Sequence, residues 1–386
     1  MAKLLPMIFV ILLLILGGFV AKQKVEDWES YKKIQTNKET LLRSQLERIK
    51  TDLDNLKKED QRARNDRLEN EIKSIQETYG QALTSYERLL DLKTLSKNTD
   101  NLDKQLAQAL KFLSDRNYSS ASGIITSLNA QIQQEKEKAL ATLVPVTPPA
   151  VADNNPPGSG FRMQSVQTDG GQFTVAIVAA DLGGTRVIVD TASDNDCGNN
   201  CPVMPLGNFV ARSGAYAGVN GSYFCPASYP SCAGKTNSFD LLVMNKNKHY
   251  FNSSNNVYST NPAVIFGGGW IRFVGKAQEW GRDTGVDGVI SNFPMLVQDG
   301  NIAFGGDGDA KHGVKGGRSF VANKGNTVFI GVVLNATVAE AAKVHKALGM
   351  GNALNLDDGG SVALWSGGYK LGPGRDIPNA VLFVRK

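Results

Sequence analysis

Histidine is scarce in this chain, with three in 386 residues. No two stand at H-x-x-x-H spacing, and no Ser-His-Asp order appears, so a zincin-type metal helix and a serine-hydrolase triad are both excluded. His345 lies within a helical pattern, and His249 and His312 stand alone in polar loops. Charge of one sign is also lacking. The formal net charge is +5, and no basic tract argues for nucleic acid. Cysteine is confined to Cys197, Cys201, Cys225 and Cys232. An even number in an exported chain reads as two disulfides with three possible connectivities. The spacings C-x3-C and C-x6-C are not those of the common zinc modules. Glycine and proline are almost absent from Lys22 to about Leu140, which leaves that stretch to helix.

Long apolar runs are rare too, and the exception is Leu4 to Ala21, long enough to span a bilayer. Residues 1–21 read as an uncleaved signal-anchor. A cleaved signal peptide is the rival, and Phe19-Val20-Ala21 makes a poor cleavage site. Either reading exports the rest of the chain, in keeping with disulfides. Residues 22–140 carry apolar side chains at alternating steps of four and three. Leu42, Leu46, Ile49, Leu53 and Leu56 form one stripe; Leu68, Ile72, Ile75, Tyr79, Ala82, Tyr86 and Leu89 form another. This is the a/d pattern of a coiled coil. A third stripe, Leu102 to Leu113, stops at Ser114–Ser119 and resumes at Ile125, Leu128 and Ile132, as a helical hairpin would. A single straight helix of that length would reach about 180 Å, so a folded-back bundle competes with a long stalk. Residues 141–160 hold Pro145, Pro148, Pro149, Pro156 and Pro157, and read as an extended linker.

From residue 161 to 386 short apolar runs alternate with glycine-rich loops, and an α+β domain with a mixed sheet is expected. Strands are expected at 173–178, 185–189, 263–266 and 327–334. Thr337 and Glu340 form a capping box that opens a helix, and Gly349 suits its C-terminal end. The strand that follows ends in Asn355-Leu356-Asp357-Asp358-Gly359-Gly360-Ser361, which puts carboxylates on an open glycine loop at a strand's carboxyl end. Ligands tend to bind at such ends in open α/β sheets.

Five segments, in order, resemble the phosphodiester glycosidase family. Gly218-Val219-Asn220-Gly221-Ser222-Tyr223-Phe224 is similar to its first motif, and Leu296-Val297-Gln298-Asp299-Gly300 to its second. Arg318-Ser319, the run Asn355–Ser361 and Arg375-Asp376-Ile377-Pro378-Asn379-Ala380 match the remaining three. The resemblance covers roughly residues 217–386. Asp358 departs from it, because the family has glycine there.

The resemblance implies a hydrolase of sugar-1-phosphodiesters, here in cell-envelope glycans. A phosphate ester leaves as a weak base, so the site has mainly to stabilise an oxocarbenium-like transition state and departing negative charge. Asp357 is the candidate carboxylate on the sugar side, with Asp299 as a second carboxylate; as a residue alone, Asp299 is an ordinary hairpin signal. Arg318 is the candidate phosphate clamp, followed by Arg375. Asn220, Gly221, Tyr223, Asp358, Gly359, Gly360 and Ser361 are the candidate substrate-binding residues, with Tyr223 or Trp365 stacking on a sugar face. No cofactor is expected. Asp307-Gly308-Asp309 offers oxygens to a structural calcium ion, but no further acidic ligands follow at EF-hand spacing and a turn is the reading adopted. The expected partners are a glycan or sugar-phosphate substrate, the membrane, and a second copy through the coiled coil. The alternative function is a non-catalytic glycan-binding or envelope polysaccharide assembly protein.

Overall fold

The computed structural model describes residues 5–143 and 151–386, with the side chains of 5–15 and 140–143 left out. Most of the Leu4–Ala21 run therefore lies outside the described side chains. Among the described residues no helix is long and apolar enough to cross a membrane. The chain divides into two compact units, Met1–Gln76 and Glu77–Lys386. The first is helical throughout its described part, as the early portion of α1 (Leu5–Leu95). Its stripe residues Leu42, Leu46, Ile49, Leu53 and Leu56 are all exposed.

The second unit begins with the last turns of α1, followed by α2 (Asp100–Ser114) and α3 (Tyr118–Leu143). The expected hairpin is α2 and α3, and the 4-3 stripe explains how it packs. Leu89 and Leu92 of α1 meet Leu102 and Leu106 of α2 and Leu128 and Ile132 of α3. A second layer joins Ala82, Ala109, Leu113, Ala121 and Ile125. The chain thus folds back on itself where apolar spacing continues on all three helices. Residues 144–150 are outside the described part. Beyond them, part of the expected linker lies along the sheet: Gln164 Nε2 donates to the Asp153 carbonyl at 2.8 Å, and Asp153 N to the Ser165 carbonyl at 2.7 Å.

Three sheets follow. The largest holds β1 (Gly160–Thr168), β2 (Gly171–Asp181), β10 (Met295–Gln298), β11 (Asn301–Ile302), β12 (Gly316–Lys324), β13 (Thr327–Ala336) and β14 (Asn352–Asp358), in the order β1-β2-β13-β12-β14-β10-β11. The second holds β3 (Thr185–Thr191), β4 (Ala217–Asn220), β15 (Leu364–Ser366), β16 (Tyr369–Leu371) and β17 (Asn379–Arg385). The third holds β5 (Val243–Met244), β6 (Tyr250–Phe251), β7 (Ala263–Phe266), β8 (Ile271–Val274) and β9 (Gly288–Ser291). Short helices α4 (Leu206–Ser213) and α5 (Asn255–Tyr258) sit in the connections, and α6 (Val338–Ala347) joins β13 to β14.

The expected mixed sheet is corrected here: every ladder among the described strands is antiparallel. β13 and β14 do run parallel, but β12 lies between them and pairs antiparallel with both. A hairpin return takes the place that a direct parallel neighbour would have filled. The unbroken apolar run of β13 has its cause in burial of both faces. One face packs under Val338, Ala341 and Val344 of α6. The other packs against Val189, Val219 and Val381 of the second sheet and Val264 and Ile290 of the third. The capping box forms as read: Glu340 N donates to Thr337 Oγ1 at 3.1 Å, and Thr337 N to Glu340 Oε2 at 2.8 Å. Gly349, at φ +70°, follows the end of that helix. Asp357 consequently arrives at the carboxyl end of β14.

Candidate active site

Where β14 leaves the largest sheet it runs beside β4 and β17 of the second, and buried asparagines hold the seam. Asn220 is fully buried. Its Nδ2 donates to the Asp357 carbonyl at 2.6 Å, and its Oδ1 accepts from Ser319 Oγ at 2.8 Å and Ala363 N at 3.1 Å. This amide, among the expected substrate-binding residues, braces the backbone beneath Asp357. Asn379 Oδ1 accepts from Ser222 N at 2.8 Å, and Asn292 Oδ1 from Tyr223 N at 2.9 Å. Gly221 lies in the same seam, where a Cβ would fall 1.9 Å from Asn379 Oδ1 and 2.8 Å from its carbonyl oxygen. Gly221→Ala is expected to destabilise the fold by about 3 kcal/mol, the upper range for overpacking a core, with thermal unfolding as the check.

Above this seam opens a cleft of about 290 Å³. That is near the lower end of ligand-site volumes, which begin at roughly 300 Å³. Asp357 lies in its floor, only 9% exposed. Burial pushes this carboxyl up to about 7; the Ser361 hydroxyl and Arg375 pull against the rise, and Asp358 adds to it. Asp358 N donates to Asp357 Oδ1 at 2.9 Å. Tyr223 lines the cleft beside Phe293, their ring centroids 5.1 Å apart. Burial, then the charges of Asp358 and Asp357, hold its phenol well above the usual range.

Asp358, the departure from the family pattern, has a partner. Arg318 Nη1 donates to Asp358 Oδ2 at 2.8 Å, and Tyr223 Oη and Asn355 Nδ2 donate to the same oxygen at 3.2 and 3.1 Å. The extra carboxylate therefore adds no unmatched charge to the cleft. The same pairing changes the role expected of Arg318. Its Nε donates to the Ala336 carbonyl at 2.9 Å, and its Nη2 to the carbonyls of Lys311 and Val314. A guanidinium has five N–H donors, and four hydrogen bonds leave it one. Arg318 holds Asp358 and the 311–314 loop in place rather than standing free as a clamp.

Arg375 lies across Gly360, where a Cβ would sit 2.3 Å from its Nη2. Its guanidinium stacks on Tyr229, 5.0 Å from the ring centroid, and pairs with Asp91 of α1. Tyr229 Oη donates to Asp91 Oδ1 at 2.6 Å. Gly359, at φ +63°, faces that carboxylate: a Cβ there would lie 2.8 Å from Asp91 Oδ2. The disulfides are Cys197–Cys201 and Cys225–Cys232, and the second brackets Tyr229.

Other expected residues lie elsewhere. Asp299, at φ +48°, occupies the exposed turn between β10 and β11 and is not part of the cleft. Trp365 packs on Tyr369 at 4.8 Å, in the cluster under α4. His345 is fully buried against Phe320 at 4.2 Å, and burial pushes it down to about 3. Asp307-Gly308-Asp309 forms a turn in which Asp307 Oδ1 accepts from Asp309 N at 3.0 Å. Among the described residues no cluster of His, Cys, Asp or Glu is arranged to hold a metal ion.

Sequence reasoning missed Asp91, Arg88 and Lys136 from the helices, and Tyr229 and His312 from loops, all of which line the cleft. His312 Nδ1 meets Asp307 Oδ2 at 2.8 Å. The helical residues gave no signal, because isolated charges on a charged helix resemble a solvated face. Tyr229 had one: an aromatic residue between two cysteines beside the first motif.

The site is thus a carboxyl raised by burial, at a strand end in an antiparallel α+β domain, in a cleft lined by several cations. Residues 213–384 match the model of the phosphodiester glycosidase family, in keeping with the motifs. The structure is similar to zebrafish N-acetylglucosamine-1-phosphodiester α-N-acetylglucosaminidase, solved as a catalytic domain auto-inhibited by its pro-peptide. That similarity has 16% identity and a TM-score of 0.46, over 61% of this chain and 87% of the other. A hypothetical protein from Synechocystis is similar at 15% identity and a TM-score of 0.39, over 58% of this chain and 62% of the other. A putative exported protein from Burkholderia pseudomallei is similar at 12% identity and a TM-score of 0.35, over 55% and 74%. No curated protein matches the chain.

Proposed function

We propose that this chain is an extracytoplasmic hydrolase of sugar-1-phosphodiesters in envelope glycans, anchored in the membrane by the Leu4–Ala21 run. Its exposed 4-3 stripe suits pairing with a second copy, and its two disulfides suit an oxidising compartment. The observation that carries the reading is Asp357, a carboxyl held near 7 by burial within the family's Asn355–Ser361 motif. Titratable groups shifted toward the working pH by burial in a cleft are marks of acid–base or nucleophilic chemistry.

In this reading the bond between the anomeric carbon and the phosphate oxygen breaks, and water supplies the new anomeric hydroxyl. Asp357 serves the anomeric carbon as a carboxylate. The phosphate monoester leaves without needing a strong general acid, toward the cationic side of the cleft. Asp358 and Arg318 neutralise each other and fix the loop, and Tyr223 and Phe293 offer apolar faces to the ring.

The test is sugar release by the oxidised chain from a chromogenic phenyl phosphodiester of N-acetylglucosamine 1-phosphate, with other sugar-1-phosphodiesters in parallel. Release from at least one is the expected result. A folded chain that releases nothing from any of them, yet retains envelope glycan, is a binding module instead.

A further inference from the structure

We propose that the helical hairpin completes the substrate site, with Lys136 of α3 as the cation that receives the substrate's phosphate; this rests on the phosphodiester reading above. Lys136 lines the cleft. Among the described residues its ammonium has no hydrogen-bond acceptor and no ion-pair partner. Asp91 and Asp358 stand close enough to act on it electrostatically, as do Arg318 and Arg88. Both carboxylates are already engaged, Asp91 by Arg375 and Tyr229, Asp358 by Arg318. Lys311 pairs with Glu87 at 3.3 Å, and Arg88 feels Asp309. Of the carboxyls that line the cleft this leaves Asp357, which burial holds toward its protonated form. Lys136 is thus a cation with neither hydrogen bond nor ion pair in a wall where Arg318, Arg375 and Lys311 are ion-paired and Arg88 donates to the Ala310 carbonyl, and a phosphodiester brings one negative charge.

Space agrees with charge. A Cβ at Gly316 would stand 2.9 Å from Lys136 Nζ, so the glycine at the start of β12 makes room for the ammonium. Burial pushes this ammonium down from its ordinary value and Asp91 works against that, as expected of a cation awaiting an anion. A second cavity shares Arg88, Asp91 and Lys136 with the cleft and continues along α3 to Asn129, Gln133 and Lys315. The side-chain carbonyl oxygens of Asn129 and Gln133 have no hydrogen-bond partner. With the sugar at Asp357 and the phosphate at Lys136, this cavity takes the group beyond the phosphate. Its unpartnered Asn129 and Gln133 oxygens would accept from the hydroxyl groups of an aglycone such as a sugar or polyol. The residues that match the family, 213–384, contain none of these helical side chains.

Titration calorimetry of the full-length oxidised chain with inorganic phosphate tests this, with sugar release from the phenyl phosphodiester followed alongside. Lys136→Met is expected to weaken phosphate binding about tenfold or more, as the loss of a charge-assisted contact would. Lys136→Arg should stay within about threefold of the parent, since it keeps the charge. Thermal unfolding of Lys136→Met should be unchanged or raised, because an unmatched ammonium has been removed, and a merely structural lysine would give the opposite. Unaltered phosphate affinity in Lys136→Met overturns the assignment, and so does a parent chain that binds no phosphate. Sugar release with phosphate affinity indifferent to Lys136 removes Lys136 and leaves the glycosidase standing. Phosphate binding that depends on Lys136, with no release from any phosphodiester, does the reverse.

Discussion

Asp357→Asn is expected to reduce sugar release by about three orders of magnitude, within the range for losing a catalytic acid–base group, while leaving the fold at least as stable as the parent above pH 7. The two effects have one cause. The folded carboxyl sits at about 7, well above its ordinary value, because burial disfavours the ionised form. Between roughly pH 4 and 7 the native state therefore holds a proton that the unfolded chain releases. The stability tied to this proton is complete below about pH 4 and is lost as pH rises through 7. Asparagine removes the charge, keeps an oxygen for the Asp358 N–H, and escapes that loss. Activity runs in the opposite direction, since a carboxylate that serves the anomeric carbon must be ionised. In the parent chain kcat/KM should climb about tenfold per pH unit below 7 and level off above it. A falling limb through 7 would assign Asp357 to proton donation instead. Turnover retained in Asp357→Asn would remove it from the chemistry altogether.

How much of this was legible in the sequence depends on the range of the interaction that fixes each feature. β13, α6 and β14 are local objects. An apolar run, a Thr337–Glu340 capping box and Gly349 suffice to place them, and Asp357 at the strand end follows. The antiparallel order is not local. β12 enters between β13 and β14 through pairings that no short window contains, so a parallel neighbour was the simpler expectation. The hairpin α2–α3 was legible because its stripe breaks at Ser114–Ser119 and resumes.

Site residues divided in a different way. A motif names positions without telling support from contact. Asn220 and Arg318 both belong to the motifs, and both prove to hold backbone and loop. Asp358 looked like an added charge in the cleft, yet its meaning lies in Arg318, forty residues away in the chain. Asp91 and Lys136 were invisible for the opposite reason. Each is a single charge on a helix crowded with charges, and only the fold-back that buries Leu89 against Leu102 and Leu128 turns those faces toward the cleft.

Asp91→Asn is expected to destabilise the second unit by about 3 kcal/mol, the lower range for breaking a buried ion pair from one side. The pair is well enclosed, with side-chain exposures of 13% for Arg375 and 15% for Asp91. Removing the carboxylate leaves the buried Arg375 guanidinium with only Asp357 as a counter-charge, and gives Tyr229 Oη a neutral amide oxygen in place of a charged acceptor. The loss should appear as a fall in Tm on the order of 6 °C, at roughly 2 °C per kcal/mol for a unit of this size. Phosphate should restore more stability to this variant than to the parent, because an anion that binds only the folded state stabilises it by mass action. Adding Arg375→Met should also recover part of the loss, since it removes the stranded cation, and the double-mutant cycle measures the coupling directly. A single variant as stable as the parent, with phosphate affecting both alike, would mean that Asp91 rests against the glycosidase domain without holding it, and that the junction depends on its other polar contacts, Glu87 with Lys311 and Ser231 and Arg88 with the Ala310 carbonyl.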